Sequence, residues 1–202
     1  MELLQPDTIT AVADKLLQSC PDGIDYLINN AGILGTYSTV NEQTVQDFTE
    51  VLLTNVVGTF SVTKSFLPLL RAGHKKVIVH ISSNAASLSR NEHGIKQDGL
   101  TGASLALSYR ASKVAVNMQT TVLANDLKHE GFVVVSLDPG DVSTGMWRYL
   151  TEEVFTESSP FAKRQPSLTP QESVKAMLKL TLDLNVEQTG KFLLYDKTNL
   201  PW

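Results

Sequence analysis

Ile24-Asp25-Tyr26-Leu27-Ile28-Asn29-Asn30-Ala31-Gly32 is a short apolar run that stops abruptly in two amides and a glycine-containing turn. Such a run reads as a strand buried on both faces, with a polar turn at its end. Ligands of sheets built this way bind at the strand ends, so the stretch marks a fold and a site together. On its N-terminal side, Ile9, Val12, Ala13, Leu16 and Leu17 fall at helical spacing over residues 6–19. Pro6 and Asp7 suit the first turn of that helix, and Pro21-Asp22-Gly23 its exit. On the C-terminal side, Asn41 is the candidate N-cap of a helix running to about Leu70, with Val45, Phe48, Leu52, Val56, Phe60 and Leu67 on one face. Asn55 sits in its middle, where helix propensity disfavours asparagine.

The strand pattern then recurs. Val77 to Ser83 is a second apolar run, closing on Ser82-Ser83-Asn84, and Phe132 to Leu137 a third, closing on Asp138-Pro139-Gly140-Asp141. Between them, Ala85 to about Leu105 reads as a long surface loop, and Ser108 to about His129 as a second long helix. Val142 to about Pro166 shows no period. Thr169-Pro170-Gln171-Glu172 has the cap, proline and acidic first turn that open a helix, here to about Leu184. Phe192 to Tyr195 is a last short strand. Strand and helix alternate throughout, which predicts an α/β fold: a doubly wound, mostly parallel sheet with helices on both faces, as a single domain over residues 1–202.

Composition narrows the function. The chain of 202 residues has 42% hydrophobic and 19% charged residues, ordinary for a soluble globular domain. With 17 basic against 21 acidic residues, a net charge of -4 and no basic stripe, nucleic acid is not an expected partner. No apolar stretch approaches the length that crosses a bilayer, and residues 1–5 lack a secretory pattern, so a cytoplasmic address is expected by default. Cys20 is the single cysteine. It has no disulfide partner and no His/Cys spacing around it that suits zinc. His74, His80, His93 and His129 are scattered and read as surface or packing residues, so no metal site is expected.

Tyr109-Arg110-Ala111-Ser112-Lys113 sets a phenol and an ammonium four residues apart, on one face of the second long helix. A neighbouring cation favours the phenolate and is expected to lower the tyrosine pKa from its usual value near 10, which makes Tyr109 a candidate general acid/base. A tyrosine and a lysine at this spacing carry little meaning alone. Context supplies it. Asn29-Asn30-Ala31-Gly32, Asn55, Ser83, Tyr109-x3-Lys113 and Pro139-Gly140-Asp141-Val142-Ser143-Thr144, in this order, resemble the motifs of the short-chain dehydrogenase/reductase family. Residues 109–113 and the ending Gly190-Lys191-Phe192-Leu193-Leu194-Tyr195-Asp196 through Leu200-Pro201-Trp202 are similar to its C-factor and sniffer-type carbonyl reductases.

That resemblance implies an oxidoreductase that reduces a small carbonyl compound, or oxidises an alcohol, with a nicotinamide cofactor: NADP by family habit, NAD remaining open. Tyr109 would hand the proton to the carbonyl oxygen, Ser83 would hydrogen-bond the same oxygen, and Lys113 would keep Tyr109 acidic and grip the ribose. Asn55 would hold a water that links Lys113 to solvent. Asn29, Ala31 and Gly32, with Tyr109 and Lys113, would line the cofactor, and Pro139, Gly140, Val142 and Thr144 would border its nicotinamide end. Taken singly, Asn55 reads as a helix-bend residue, Ser83 as a strand-end cap and Asn29 as a turn former. Met146 and Trp147 suit either a substrate-pocket wall or an unrelated apolar lid. The resemblance also implies a homodimer surface on the two long helices.

The family's glycine-rich phosphate loop has no counterpart in residues 1–202. Two βα units, about 60 residues at roughly 30 per unit, are expected to be missing, which would leave residues 24–30 as an open apolar sheet edge. An N-terminally incomplete reductase is therefore expected. The alternative is a catalytically inactive form that acts only as an interaction module with full-length relatives.

Overall fold

The computed structural model describes residues 2–95, 105–154 and 166–202. Four parallel strands form its sheet in the order β1 (Tyr26–Asn29), β2 (Val77–Ile81), β3 (Val133–Asp138) and β4 (Phe192–Leu194). Tyr26 stands opposite Val77, Val77 opposite Val133, and Ser136 opposite Phe192. The register brings the polar strand ends Asn29, Ser82 and Asp138 to the same edge of the sheet. β2 is almost wholly buried and β3 entirely so, which is why both read as unbroken apolar runs rather than alternating ones.

Each face has its own core. On one, Leu27, Ile78 and Val134 pack with Val62, Phe66, Leu69 and Leu70 of α3 (Thr59–Ala72) and Ala124 of α5 (Leu107–Asp126); α1 (Pro6–Ser19) adds Ile9 and Ala13. On the other, Val77, Val79, Val133, Val135, Leu137 and Leu193 pack with Leu180 of α7 (Pro170–Leu182). Burying a side chain of this kind contributes roughly 1.5–3 kcal/mol. Among the described residues no strand lies on the outer side of β1, and Ile28 in that strand is 45% exposed.

Three expectations are corrected. The helix expected from Asn41 to Leu70 begins instead after Thr44, whose side chain accepts from the Asp47 N–H; Glu42 is occupied in a local turn with Thr39. It is also not continuous: α2 (Val45–Leu52) passes through a π-helical turn at Leu53–Gly58 before α3. Asn55 lies in that turn, fully buried, which accounts for an asparagine where a regular helix would disfavour one. Secondly, the loop expected over residues 85–105 holds a 3-10 turn at Asn84–Ala86 and α4 (Leu88–Ile95), capped by the Ser87 hydroxyl accepting from Arg90 N–H; residues 96–104 lie outside the described residues. Thirdly, the aperiodic stretch from Val142 holds α6 (Gly145–Tyr149), capped by Thr144, and a π turn at Leu150–Val154; residues 155–165 are not described. The opening of α7 is as read, with Thr169 and Glu172 forming a reciprocal capping box.

Candidate active site

The strand ends and three helices enclose a cavity of about 510 Å³, within the size range of small-molecule sites. Tyr109 and Lys113 enter from α5, Ser83 from beyond β2, and Pro139, Gly140 and Val142 from beyond β3; Gly32, Thr144, Met146 and Trp147 also line it. Ser83 and Tyr109 both line the cavity, near enough that the Ser83 hydroxyl pulls the Tyr109 phenol pKa down.

Lys113 is nearly buried, and its Nζ donates to the Ile81 carbonyl at 2.8 Å while lying 5.5 Å from the centroid of the Tyr109 ring. Its charge is therefore spent on a backbone carbonyl and a ring face rather than on the phenol oxygen. This corrects the expected acidification of Tyr109. Burial pushes the hydroxyl up to about 12, the Ser83 hydrogen bond and Arg110 pull the other way, and the Asp138 carboxylate adds to the rise. In the isolated chain Tyr109 is a protonated phenol. Burial also lowers Lys113 to about 8.

Asn55 ties the loop after β1 to α5. Its Nδ2 donates to Ile33 O at 2.8 Å and Ser112 Oγ at 2.9 Å, and its Oδ1 accepts from Ile33 N–H at 2.8 Å. Both amide hydrogens are thus committed. Gly32 is needed beside it: an added Cβ would stand 3.1 Å from Asn55 Oδ1 and 3.5 Å from Lys113 Nζ. The Asn29 amide donates to Thr63 Oγ1 at 3.0 Å, and neither Asn29 nor Ala31 lines the cavity, whereas Asn30 does. Gly140, at φ 81, lies where a Cβ would come within 2.7 Å of the Tyr195 ring.

Sequence reasoning missed Asp138. Buried at the end of β3, its carboxylate accepts from Asn84 N–H and Gly140 N–H, both at 2.8 Å, and so staples the two loops that carry Ser83 and Pro139. A carboxylate closing an apolar strand directly before Pro-Gly was the available signal. It also missed Tyr37 and Arg110, a hydrogen-bonded pair in the cavity wall.

A parallel sheet flanked by helices, with a serine, tyrosine and lysine gathered at its strand ends, defines a dehydrogenase-type α/β protein. The short chain dehydrogenase family model matches residues 1–154, and the chain belongs to that family. It is 34% identical over 183 residues to the C-signal protein of Myxococcus xanthus, covering 91% of this chain and 95% of that one. An uncharacterised oxidoreductase of Schizosaccharomyces pombe is 34% identical over 184 residues, covering 90% and 68%. Among solved structures, the carbonyl reductase Sniffer of D. melanogaster superposes with a TM-score of 0.81 at 28% identity, over all of this chain and 76% of that one. An NADPH-bound carbonyl reductase from chicken fatty liver gives 0.82 at 29%, over all of this chain and 72% of that one. Among the described residues no helix is long and apolar enough to cross a membrane, and no cluster of His, Cys, Asp and Glu suits a metal ion.

Proposed function

We propose that the chain reduces small carbonyl compounds to alcohols with a nicotinamide cofactor, NADP in preference to NAD, and that Tyr109 is the general acid. The observation that carries this reading is that the Ser83 and Tyr109 side chains line one mostly apolar cavity, with Ser83 near enough to act on the Tyr109 phenol. Two donors so close together suit a carbonyl oxygen on which negative charge grows.

The glycines support a cofactor at this end of the sheet. Side chains at 32 and 140 would fill space that the backbone leaves open, against Lys113 and Asn55 in one case and Tyr195 in the other. Gly32, Pro139, Gly140, Val142 and Thr144 would hold the nicotinamide and its ribose, with Lys113 beneath them; Asn29 and Ala31 would act by shaping the turn. The cofactor supplies the hydride that the carbonyl carbon receives.

The protein's own groups manage the oxygen. Tyr109 binds the carbonyl oxygen together with Ser83, and its phenol proton passes to that oxygen as charge develops there. A neutral phenol is the form a proton donor requires, and below its raised value of about 12 Tyr109 is in that form. Arg110, whose charge already pulls the Tyr109 hydroxyl down, would stabilise the phenolate left behind, and Lys113 sits against the ring face. Asn55 keeps Gly32 and Ile33 fixed against α5, and Asp138 holds the Ser83 and Pro139 loops together.

Reduction of an aryl ketone, followed by the loss of NADPH absorbance, tests the assignment. Tyr109→Phe is expected to lower kcat by about 10² to 10⁴-fold while fluorescence titration shows NADPH binding little changed. Equal turnover by the two proteins would refute the role of Tyr109.

A further inference from the structure

One part of the cavity wall is made by neither a strand nor a regular helix. It is the segment after Gly32, from which Leu34 and Tyr37 project into the cavity, and one carboxylate secures it. Asp47, in the first turn of α2, accepts from Thr36 N–H at 2.8 Å and Thr36 Oγ1 at 3.0 Å through Oδ1. Through Oδ2 it accepts from Gln43 Nε2 at 2.7 Å and Ser108 Oγ at 3.3 Å. Gln43 in turn accepts from the Ser108 N–H at 3.2 Å, and the Ala106 N–H reaches Ser38 O at 3.1 Å. Ala106 and Ser108 begin the helix that carries Tyr109 and Arg110.

We infer that Asp47 is a positioning residue for the substrate side of this site, locking the Tyr37 segment to the first turn of α5. Tyr37 and Arg110, hydrogen-bonded to each other, then face the cavity as one unit with Tyr109. The proposal rests on the reading of the cavity as a carbonyl-binding site. Three features support it. The segment and α5 have no other backbone link in this region than Ala106 to Ser38 among the described residues, so side chains must set their spacing. Gly35, at φ 68, brings the chain so near that an added Cβ would stand 2.9 Å from Asp47 Oδ1. Burial alone would raise the Asp47 pKa, yet the hydrogen bonds from Thr36, Gln43 and Ser108 hold it below the usual carboxylate value, which keeps all of them as donors to an anion.

The test uses acetophenone as the probe, in a Trp202→Phe background in which Trp147, at the cavity wall, is the remaining indole. Binding is read from quenching of that indole, and turnover with NADPH is measured on the same proteins. Asp47→Ala and Asp47→Asn are expected to raise the acetophenone Kd about tenfold and to raise KM more than they lower kcat. Asp47→Glu should recover part of the loss, and Ser108→Ala, which removes one hydrogen bond, should weaken binding by about twofold to threefold. An unchanged Kd in both Asp47→Ala and Asp47→Asn, with turnover intact, overturns the role of Asp47 and leaves the reduction reading standing. A raised Kd in a chain that turns over no carbonyl compound supports Asp47 and overturns the reduction reading instead. If Asp47→Ala lowers kcat without touching Kd or KM, the residue does not act on the substrate side.

Discussion

His80 lies at the middle of the sheet with no exposed surface, its Nδ1 2.9 Å from Thr120 Oγ1 and its Nε2 3.5 Å from Thr63 Oγ1. Thr120 continues to Ser136 at 2.7 Å, and Thr63 to Asn29 at 3.0 Å, so the imidazole belongs to a buried polar chain that joins β1, β2 and β3. Burial, with Lys113 nearby, lowers its pKa from 6.5 to about 4. Between those values the unfolded chain binds the proton and the folded one does not, so stability is full above pH 6.5 and falls as pH falls toward 4. The loss over that window is on the order of 3 kcal/mol. Urea denaturation at a series of pH values should show a shallower acid slope for His80→Gln than for the wild type; matching slopes would assign the acid sensitivity to other groups. His80 read as a surface or a packing residue, and its place inside the run Val77 to Ile81 is the signal that decides for burial. Its partners were not, since Thr63 and Thr120 come from helices distant in sequence and become neighbours only once both helices cover one face of the sheet.

The start of α5 carries a comparable constraint at the level of an element. Ala106, its N-cap residue, is buried and left-handed at φ 58, a conformation that costs an L-residue about 1–2 kcal/mol. The Asp47 and Gln43 contacts to Ser108 hold this entry in place, three residues before Tyr109 in the cavity wall. Ala106→Gly should therefore stabilise the fold by about 1 kcal/mol, measured as a raised urea midpoint at unchanged slope; a lowered midpoint would show that the strain is not there. Periodicity had little to work with in α5, whose buried positions Ser108, Ser112, Lys113, Asn117 and Thr120 are polar, yet the sequence placed the helix to within a few residues. The same periodicity missed the π turn at Leu53–Gly58. An extra residue in a turn shifts the face without removing apolar residues, and what decides it is the pull of Ile33 and Ser112 on Asn55. α4 was missed for the opposite reason: its sequence is polar, and the signal for it is a single serine cap.

Across the whole molecule, the outer surfaces of the two long helical segments leave Leu53, Val57 and Phe60 exposed on one and Met118 and Val122 on the other, each between 41% and 62%. These lie at helical spacing on segments that pack side by side, joined by Gln119 Nε2 donating to Val56 O at 3.0 Å. An apolar surface of that kind suits a second copy of the chain, and a homodimer is expected in solution. Analytical ultracentrifugation should give twice the chain mass for the wild type and a monomer for Phe60→Asp; a wild-type monomer at all concentrations would reject the dimer. The succession of the four strands with α1, α5 and α7, the helix-spaced Tyr109 and Lys113, and the polar strand ends at Asn29, Ser83 and Asp138 were determined by the sequence, because periodicity and spacing are local properties of the chain. Only the tertiary structure decided that Lys113 turns to Ile81 rather than to the phenol oxygen, that Asn55 braces a loop, and that Asp47 and Asp138 hold the cavity walls. Each of those outcomes depends on which distant groups compete for one buried donor or carboxylate, and that competition exists only after the chain has packed.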